Sequence, residues 1–259
     1  MNRYMLLIDC QNDFCGTTGS LYVKGASVDM YNLAQLVDRV GESIERIVVT
    51  LDNHRVMHIA HPLFWIDKNN EHPKPYTPIT LEDVENGVWR ASVGGFYQTI
   101  ALDYVRTLKA KGKTNFIWPE HAIINTTGAA IYPIISDALL RWERKYHTVD
   151  YLEKGMAIRT EMFGAFESEV PDIHDPSTQM NMDAISKFVS ADEILIAGEA
   201  LSHCVAETVK QLAKYVCPSK FVLLSDCTSN VPNFEFLGDA FVKELTEKGM
   251  RVAKSTEVV

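Results

Sequence analysis

Short apolar runs alternate with stretches of helical periodicity along the chain, and this alternation restricts the possible folds more than any other feature. Most of the runs are continuously apolar, as is typical of parallel strands covered on both faces. They span residues 4–9, 46–52, 148–153, 193–197, 220–225 and 250–254. Helices are predicted between them, for example over residues 30–44, 96–111, 128–146 and 203–216. The pattern predicts an α/β fold with a doubly wound parallel sheet, whose ligand site lies beyond the C-terminal ends of the strands.

Residues 58–113 interrupt this alternation. Within them, residues 62–80 combine several prolines with many polar residues, which predicts irregular structure. The segment also carries large aromatic residues, which disordered segments tend to lack. We therefore predict a single domain over residues 1–259 with an ordered insertion at about residues 58–113. We expect this insertion to narrow the pocket as a cap or to pack on a neighbouring subunit of a homo-oligomer.

Charge and cysteine content exclude several classes of protein. The net charge of −9 argues against binding to nucleic acid or to an anionic membrane surface, because both select cationic patches. No apolar run approaches the length of a membrane span, and the first apolar run breaks at Asp9, which is not the pattern of a signal peptide. The five cysteines lack CxxC spacing, so neither a disulfide framework nor a zinc knuckle is predicted. We expect a cytoplasmic protein.

Reactive side chains follow four of the predicted strands at the point where each strand ends. Asp9 ends the first strand, Asp52 and His54 end the second, Lys154 follows the third and Cys204 lies just past the fourth. Each residue alone has a simple structural interpretation, as a helix cap, a solvated charge or a small core residue. Because the C-terminal ends of parallel strands meet at one edge of the sheet, their coincidence instead favours a reactive site.

Cys204 has the strongest case among the cysteines. The segment "AGEALSHCV" leads from a strand through a turn of small residues into a helix, with Ser202 as the predicted N-cap. The N-terminal turn of a helix favours thiolate and offers N–H groups that can hold an oxyanion. The remaining cysteines, Cys10, Cys15, Cys217 and Cys227, lack this setting and are predicted to be structural.

The sequence "DNH" at residues 52–54 places a carboxylate and an imidazole two positions apart. In an extended segment both side chains point to the same side. Such a pair, completed by a third ligand and water, suits a divalent transition metal ion. The third ligand is open at this point, because His58, His61 and His72 all lie nearby in the sequence.

Five segments, in order, carry a resemblance to a known family: "LLIDCQNDFC", "VVTLDNH", "WPEHAIINTTGAAI", "EKGMAIRTEMFGAF" and "IAGEALSHCV". Together they resemble the nicotinamidase branch of the isochorismatase-like cysteine hydrolases. The resemblance implies a three-layer α/β/α fold with a six-stranded parallel sheet. It also implies a metal-assisted amidohydrolase of NAD metabolism and pyridine nucleotide salvage, which converts nicotinamide to nicotinate and ammonia through a thioester on cysteine.

The resemblance assigns roles to individual residues. It implies a catalytic triad of Asp9, Lys154 and Cys204, and a metal ion bound by Asp52, His54 and His121. Zinc is the expected ion, with iron and manganese as alternatives. The N–H groups of Ala200 and Cys204 would form an oxyanion hole beside a cis peptide bond at Glu199–Ala200. The walls of the pocket for a small planar amide would be Phe14, Trp118 and Phe163.

Several positions depart from the pattern of the family. Asn53 and Ala122 replace a usual Trp and Cys near the metal ligands, and Phe163 lacks the usual phenol hydroxyl. Ser202 and His203 replace the usual Asp and aromatic residue before the nucleophile. The triad and the ligands survive while the pocket walls change. Two alternatives therefore stay open: a hydrolase of the same chemistry acting on another small amide or carbamoyl compound, and a binding protein without catalytic activity.

Overall fold

A parallel six-stranded sheet forms the centre of the molecule in the computed structural model, which describes residues Met1–Val259. The strands are β1 (Arg3–Ile8), β2 (Ile44–Asp52), β3 (Trp65–Ile66), β4 (Pro78–Ile79), β5 (Arg90–Ala91), β6 (Asn115–Phe116), β7 (Asp150–Lys154), β8 (Glu193–Gly198), β9 (Phe221–Leu224) and β10 (Arg251–Ala253). The order in the sheet is β10-β9-β8-β1-β2-β7, and all its neighbours are parallel. All six sheet strands overlap the predicted runs, which confirms the sheet.

Helices cover both faces of the sheet. They are α1 (Asn12–Cys15), α2 (Ala26–Val40), α3 (Leu81–Glu85), α4 (Phe96–Ala110), α5 (Pro133–Glu143), α6 (Met182–Ser186), α7 (Ala206–Leu212) and α8 (Glu235–Glu247). Met5 and Leu7 of β1 pack in one apolar cluster with α2 and α5, while Leu6 and Ile8 pack in a second cluster with α7 and α8. Because side chains alternate along a strand, the continuous apolar run of β1 serves both cores. The three-layer α/β/α fold is confirmed.

The start of the predicted helix over residues 203–216 differs from the prediction. A π-helical turn, Leu201–Val205, precedes α7, and no side chain caps it. The Ser202 hydroxyl instead accepts a hydrogen bond from the Val231 N–H at 3.1 Å. The prediction of Ser202 as an N-cap is therefore wrong, because a partner distant in the sequence takes its hydroxyl.

The insertion over residues 58–113 is folded around an apolar cluster of its own. The antiparallel pair β3–β5 and the helices α3 and α4 surround buried residues that include Phe64, Trp65 and Tyr104. The Trp65 Nε1–H donates to the Ile59 carbonyl at 2.6 Å, which ties β3 to the first residues of the insertion. Its role as a cap or subunit contact stays a prediction, as does the single-domain description. None of the helices is both long and apolar enough to span a membrane.

Candidate active site

The predicted reactive residues meet at the crevice where the order of the strands reverses. From β1 the chain moves to β2 and β7 on one side, then returns to β8 on the other side of β1. Asp9, Asp52 and Lys154 lie at the ends of β1, β2 and β7, and Cys204 lies in the turn after β8. Ligands of doubly wound sheets bind at this kind of switch point.

Lys154 connects three of these side chains. Its Nζ lies 2.9 Å from Asp9 Oδ2, 3.0 Å from Asp52 Oδ1 and 3.7 Å from Cys204 Sγ. Nζ also donates to the Met162 carbonyl at 3.1 Å. Burial alone would lower the pKa of Lys154, but the charges of Asp52 and Asp9 raise it well above its ordinary value, so the ammonium stays charged. We call Asp9, Lys154 and Cys204 the nucleophile end of the site.

The Asp9 carboxylate is held on both oxygens. The Thr50 hydroxyl donates to Oδ1 at 2.5 Å, and the Lys154 ammonium lies at Oδ2. Asp9 has a φ of +49°, a backbone conformation that costs a non-glycine residue free energy and that clusters at functional sites. Complete burial raises the pKa of Asp9, and Lys154 partly offsets this effect. A carboxylate of raised basicity is suited to accept a proton.

The Cys204 thiol lies in the π-helical turn and is buried. Burial raises the pKa of the thiol well above its ordinary value, although the Lys154 ammonium acts in the opposite direction. The negative charges of Asp9 and Asp52 raise the pKa of the thiol further. The resting sulfur is therefore a thiol rather than the thiolate favoured by its helical position, and a base must remove its proton during attack.

Two histidines beside Asp52 have fixed tautomers. The Nδ1–H of His54 donates to the Gly155 carbonyl at 3.1 Å, and that of His121 donates to the Pro119 carbonyl at 2.7 Å. Each Nε2 points toward Asp52 Oδ2, at 3.0 Å from His54 and 3.4 Å from His121. Backbone carbonyls fix metal-binding histidines in this way. The three ligands implied by the family resemblance thus converge on one point.

His61 joins this group, while His58 does not. Both ring nitrogens of His61 are buried and have no hydrogen-bond partner, and His61 can share a metal ion with His54 and His121. Burial lowers the pKa of His61 to about 2, so its ring is neutral. His58 accepts from the Ala60 N–H at 3.2 Å and donates from Nε2 to the Thr160 carbonyl at 3.1 Å. Its nitrogens are both used, although His54, His58 and Glu161 also lie close enough for a metal.

The charges of the site favour a bound cation. Burial alone would raise the pKa of Asp52, but His54 and Lys154 hold it well below its ordinary value, so it stays ionised. Against the effect of burial, Asp52 in turn raises the pKa of His54, and a metal would require His54 to lose its proton, which leaves the Asp9 and Asp52 carboxylates with one ammonium. Glu161 Oε2 nearby is buried without a partner. Imidazole nitrogens with one carboxylate are a ligand set for a divalent transition ion. The residues fit a metal, and we call His54, His58, His61 and His121 the histidine cluster.

A small cavity lies between the nucleophile end and the histidine cluster. Its volume is about 30 Å³, and its walls include the predicted Phe14, Trp118 and Phe163 as well as Cys204 and His203. Trp118, Phe163 and His203 also line an outer cavity of about 310 Å³. The inner cavity is much smaller than the outer one, and the three side chains form the wall that the two cavities share. His203 was not among the residues predicted for this wall.

The turn before Cys204 contains the predicted cis peptide bond at Glu199–Ala200. Ala200 lines the inner cavity, and its N–H makes no hydrogen bond within the protein. A buried N–H of this kind is a donor available to a ligand.

Asp13 has no reactive role in the predictions from the sequence. It accepts a hydrogen bond from the Ala122 N–H at 2.7 Å and so supports the loop that carries His121.

Comparisons with known proteins find two curated relatives by sequence. The nicotinamidase of Saccharomyces cerevisiae (strain ATCC 204508 / S288c) is 26% identical over 215 residues, which cover 82% of each chain. The nicotinamidase of Escherichia coli (strain K12) is 23% identical over 208 residues, or 80% of this chain and 74% of the relative. No family model matches the chain.

Solved structures share the fold over nearly the whole chain. The yeast nicotinamidase Pnc1p bound to the inhibitor nicotinaldehyde has a TM-score of 0.68 at 21% identity, covering 97% of this chain and 99% of that one. The pyrazinamidase of Pyrococcus horikoshii in complex with zinc has a TM-score of 0.58 at 16% identity, covering 98% of this chain and 99% of that one. These similarities agree with the fold implied by the sequence motifs.

Proposed function

We propose that this chain, which belongs to the nicotinamidase branch of the isochorismatase-like cysteine hydrolases, hydrolyses nicotinamide to nicotinate and ammonia. The observation that carries the proposal is the set of contacts of Lys154 with Asp9, Asp52 and Cys204 at the switch point of the sheet. An ammonium that holds a buried carboxylate beside a buried thiol matches the needs of thiol-based amide hydrolysis.

In the proposed reaction Asp9 is the general base and Cys204 the nucleophile. Asp9 removes the thiol proton while sulfur forms a bond to the carboxamide carbon and the C=O electron pair moves to oxygen. The N–H groups of Ala200 and Cys204 donate to this oxyanion, each typically worth a few kcal/mol. The C–N bond then breaks, and Asp9 returns the proton to the departing ammonia. Water attacks the thioester with Asp9 again as base, which releases the acid and restores the thiol.

Lys154 keeps Asp9 ionised between these steps and balances the charge of Asp52. Phe14, Trp118 and Phe163 would hold the pyridine ring between apolar walls. Asp52, His54 and His121, with His61 as a fourth ligand, would hold one divalent metal ion. Zinc fits the nitrogen-rich ligand set and is the ion in the Pyrococcus horikoshii relative. When bound, this metal would supply Lewis-acid and template chemistry that orients the ring nitrogen of the substrate.

A second candidate substrate class is another small carboxamide. The features that favour it are the imidazole of His203 and the hydroxyl-free ring of Phe163 at the wall shared by the two cavities. A panel of small amides, assayed by ammonia release, separates the two candidates. The proposal of nicotinamide predicts the highest kcat/KM for that amide, and a higher value for a different amide would transfer the assignment to the second candidate.

Metal analysis tests the proposed ligands. Purified wild type should carry one divalent ion per chain. Asp52→Ala and His54→Ala should each lose this ion, because each substitution removes one of its proposed ligands. The measurement is elemental analysis after exhaustive dialysis. Full activity of a wild type that contains no metal, in the presence of a chelator, would contradict the proposed metal site. Light scattering will test the predicted homo-oligomer.

A further inference from the structure

Two buried carboxyl groups lie beneath the turn that leads to Cys204, and no cation accompanies them. Glu199 is fully buried and Asp29 nearly so, and neither forms an ion pair with any Lys, Arg or His side chain. An unpaired buried carboxylate is costly, and two together cost more, so such groups lower the cost by retaining a proton. These residues take no part in the steps described above.

Ser229 joins the two carboxyl groups. Its N–H donates to Glu199 Oε2 at 3.0 Å, and its hydroxyl donates to Asp29 Oδ2 at 2.5 Å. The Ser229 carbonyl accepts from the Leu201 N–H at 2.8 Å, on the other side of Ala200. The turn that presents the Ala200 N–H is therefore fixed to Ser229 both before and after that residue.

The remaining oxygen, Glu199 Oε1, is buried and receives no hydrogen bond. It requires no donor if it carries a proton itself, and Ser229, which donates to both the Glu199 and the Asp29 carboxyl groups, brings the two groups together. We propose that Glu199 and Asp29 share one proton, and that this singly charged pair is a positioning device that holds the oxyanion-binding turn. The proposal rests on the proposed function for its effect on catalysis.

The surroundings of the pair add negative charge or neutral groups and no positive charge. Cys10 faces it from the end of β1, Cys15 faces it from α1, and Asp226 and Cys227 face it from the loop after β9. Burial and the proximity of Asp29 raise the pKa of Glu199 well above its ordinary value. Loss of the shared proton at alkaline pH places two like charges against the turn, and Ala200 should then move from its position.

The experiment compares pH profiles of kcat for the proposed amide hydrolysis, each normalised to its own maximum. Glu199→Gln keeps the shape and a donor but cannot ionise, and Asp29→Asn leaves a single ionisable carboxyl. Both variants should shift the alkaline decline of kcat upward by about one pH unit or more, because neither can hold two charges. Glu193→Gln is the matched control: Glu193 begins β8, at the end of the strand opposite Glu199, and pairs with Arg3 and Arg251.

Infrared spectroscopy of the resting protein supplies a second measurement. The C=O stretching band of a protonated carboxyl group should be present in wild type at neutral pH, absent in Glu199→Gln, and lost in wild type over the pH range in which kcat declines. Profiles of all variants that superimpose on that of wild type would overturn the positioning role. If neither variant folds, the wild-type spectrum alone provides the test. A carboxyl band that is absent at neutral pH, or that is lost outside the pH range in which kcat declines, would overturn the positioning role. Failure to release ammonia at any pH would count against the proposed function alone, since the band does not depend on activity.

Discussion

The nucleophile end and the histidine cluster lie a few ångströms apart and satisfy their polar groups in opposite ways. At the nucleophile end, every charged group has an opposite charge within about 3 Å, through Lys154. In the histidine cluster, His61 has two unpartnered ring nitrogens, and His54 Nε2 lies between the Asp52 and Glu161 carboxylates, at 3.0 Å and 4.0 Å. The charges of the nucleophile end are thus paired within the protein. The histidine cluster has unpartnered nitrogens arranged as metal ligands would be.

This difference separates two kinds of preorganisation. Lys154 arranges the nucleophile end through contacts among residues of the sheet, so its geometry should persist when a metal is removed. The histidine cluster is held from outside, by the Gly155 and Pro119 carbonyls that accept from His54 and His121. The Nε2 atoms of His54 and His121 stay available for a metal because the backbone takes only the Nδ1 of each ring. Single substitutions in the two groups should therefore change activity, stability and metal content separately.

The largest expected effect is on chemistry alone. Cys204→Ala removes the proposed nucleophile and little volume, so ammonia release should fall by about 10⁴-fold or more while the metal content is unchanged. Steady-state kinetics and elemental analysis of the same sample provide the test. Cys10→Ala and Cys227→Ala, which also change buried cysteines, serve as controls and should keep activity. More than a few per cent residual activity in Cys204→Ala would remove Cys204 from the role of nucleophile.

The next effect is on stability. Lys154→Met keeps the length of the side chain but leaves the Asp9 and Asp52 carboxylates buried without their common cation. Loss of one partner from a buried ion pair costs about 3–5 kcal/mol, and we expect a loss of this size in the free energy of unfolding. Denaturant titration measures it. Arg141→Met breaks the exposed ion pair with Asp38 and should cost less than about 1 kcal/mol. Equal losses for the two variants would show that Lys154 does not organise the nucleophile end.

The nucleophile end was accessible from the sequence, and most of the histidine cluster was not. Asp9, Lys154 and Cys204 follow apolar strands, and a parallel sheet brings such positions to one edge whatever the loops do. Choosing His61 over His58 depends on whether backbone groups saturate each ring, and the partner of His58 is the Thr160 carbonyl, 102 positions away in the sequence. Local pattern carries no signal for such a contact.

The same limit explains the other errors and omissions. Ser202 has the composition of an N-cap, but its hydroxyl accepts from the Val231 N–H, which lies in the loop after β9. Glu199 follows β8, and its neighbour Asp29 comes from α2, which is distant from it in the sequence. Strand and helix positions follow from periodicity, whereas these contacts follow from how the loops pack in three dimensions.

Within the histidine cluster, two residues three positions apart should behave differently. His61→Ala removes a free pair of ring nitrogens, and metal affinity should weaken by about tenfold to 100-fold, a typical range for groups that support a metal. His58→Ala is the matched control, because its ring already bonds the Ala60 N–H and the Thr160 carbonyl and should cost stability rather than affinity. Competition with a chromogenic chelator gives both affinities. A larger loss of affinity in His58→Ala would assign the metal to the site formed with Glu161 instead.

The smallest effect concerns His203, a partly buried histidine that directly precedes Cys204 and is not one of the proposed metal ligands. Its ring packs on Trp118 and Phe234, and burial lowers its pKa from 6.5 to about 4. The unfolded chain therefore binds a proton between pH 6.5 and 4 that the folded protein does not, so stability falls as the pH decreases through this window. From pH 7 to pH 5.5 the loss should be about 1 kcal/mol, and His203→Phe, which keeps an aromatic ring, should remove that part of the acid sensitivity. His174→Phe changes an exposed imidazole and serves as the control for denaturant titrations at both pH values. If His203→Phe loses as much stability as wild type between pH 7 and pH 5.5, the acid sensitivity comes from the histidine cluster. The nucleophile end and the histidine cluster would then also differ in how protonation affects stability.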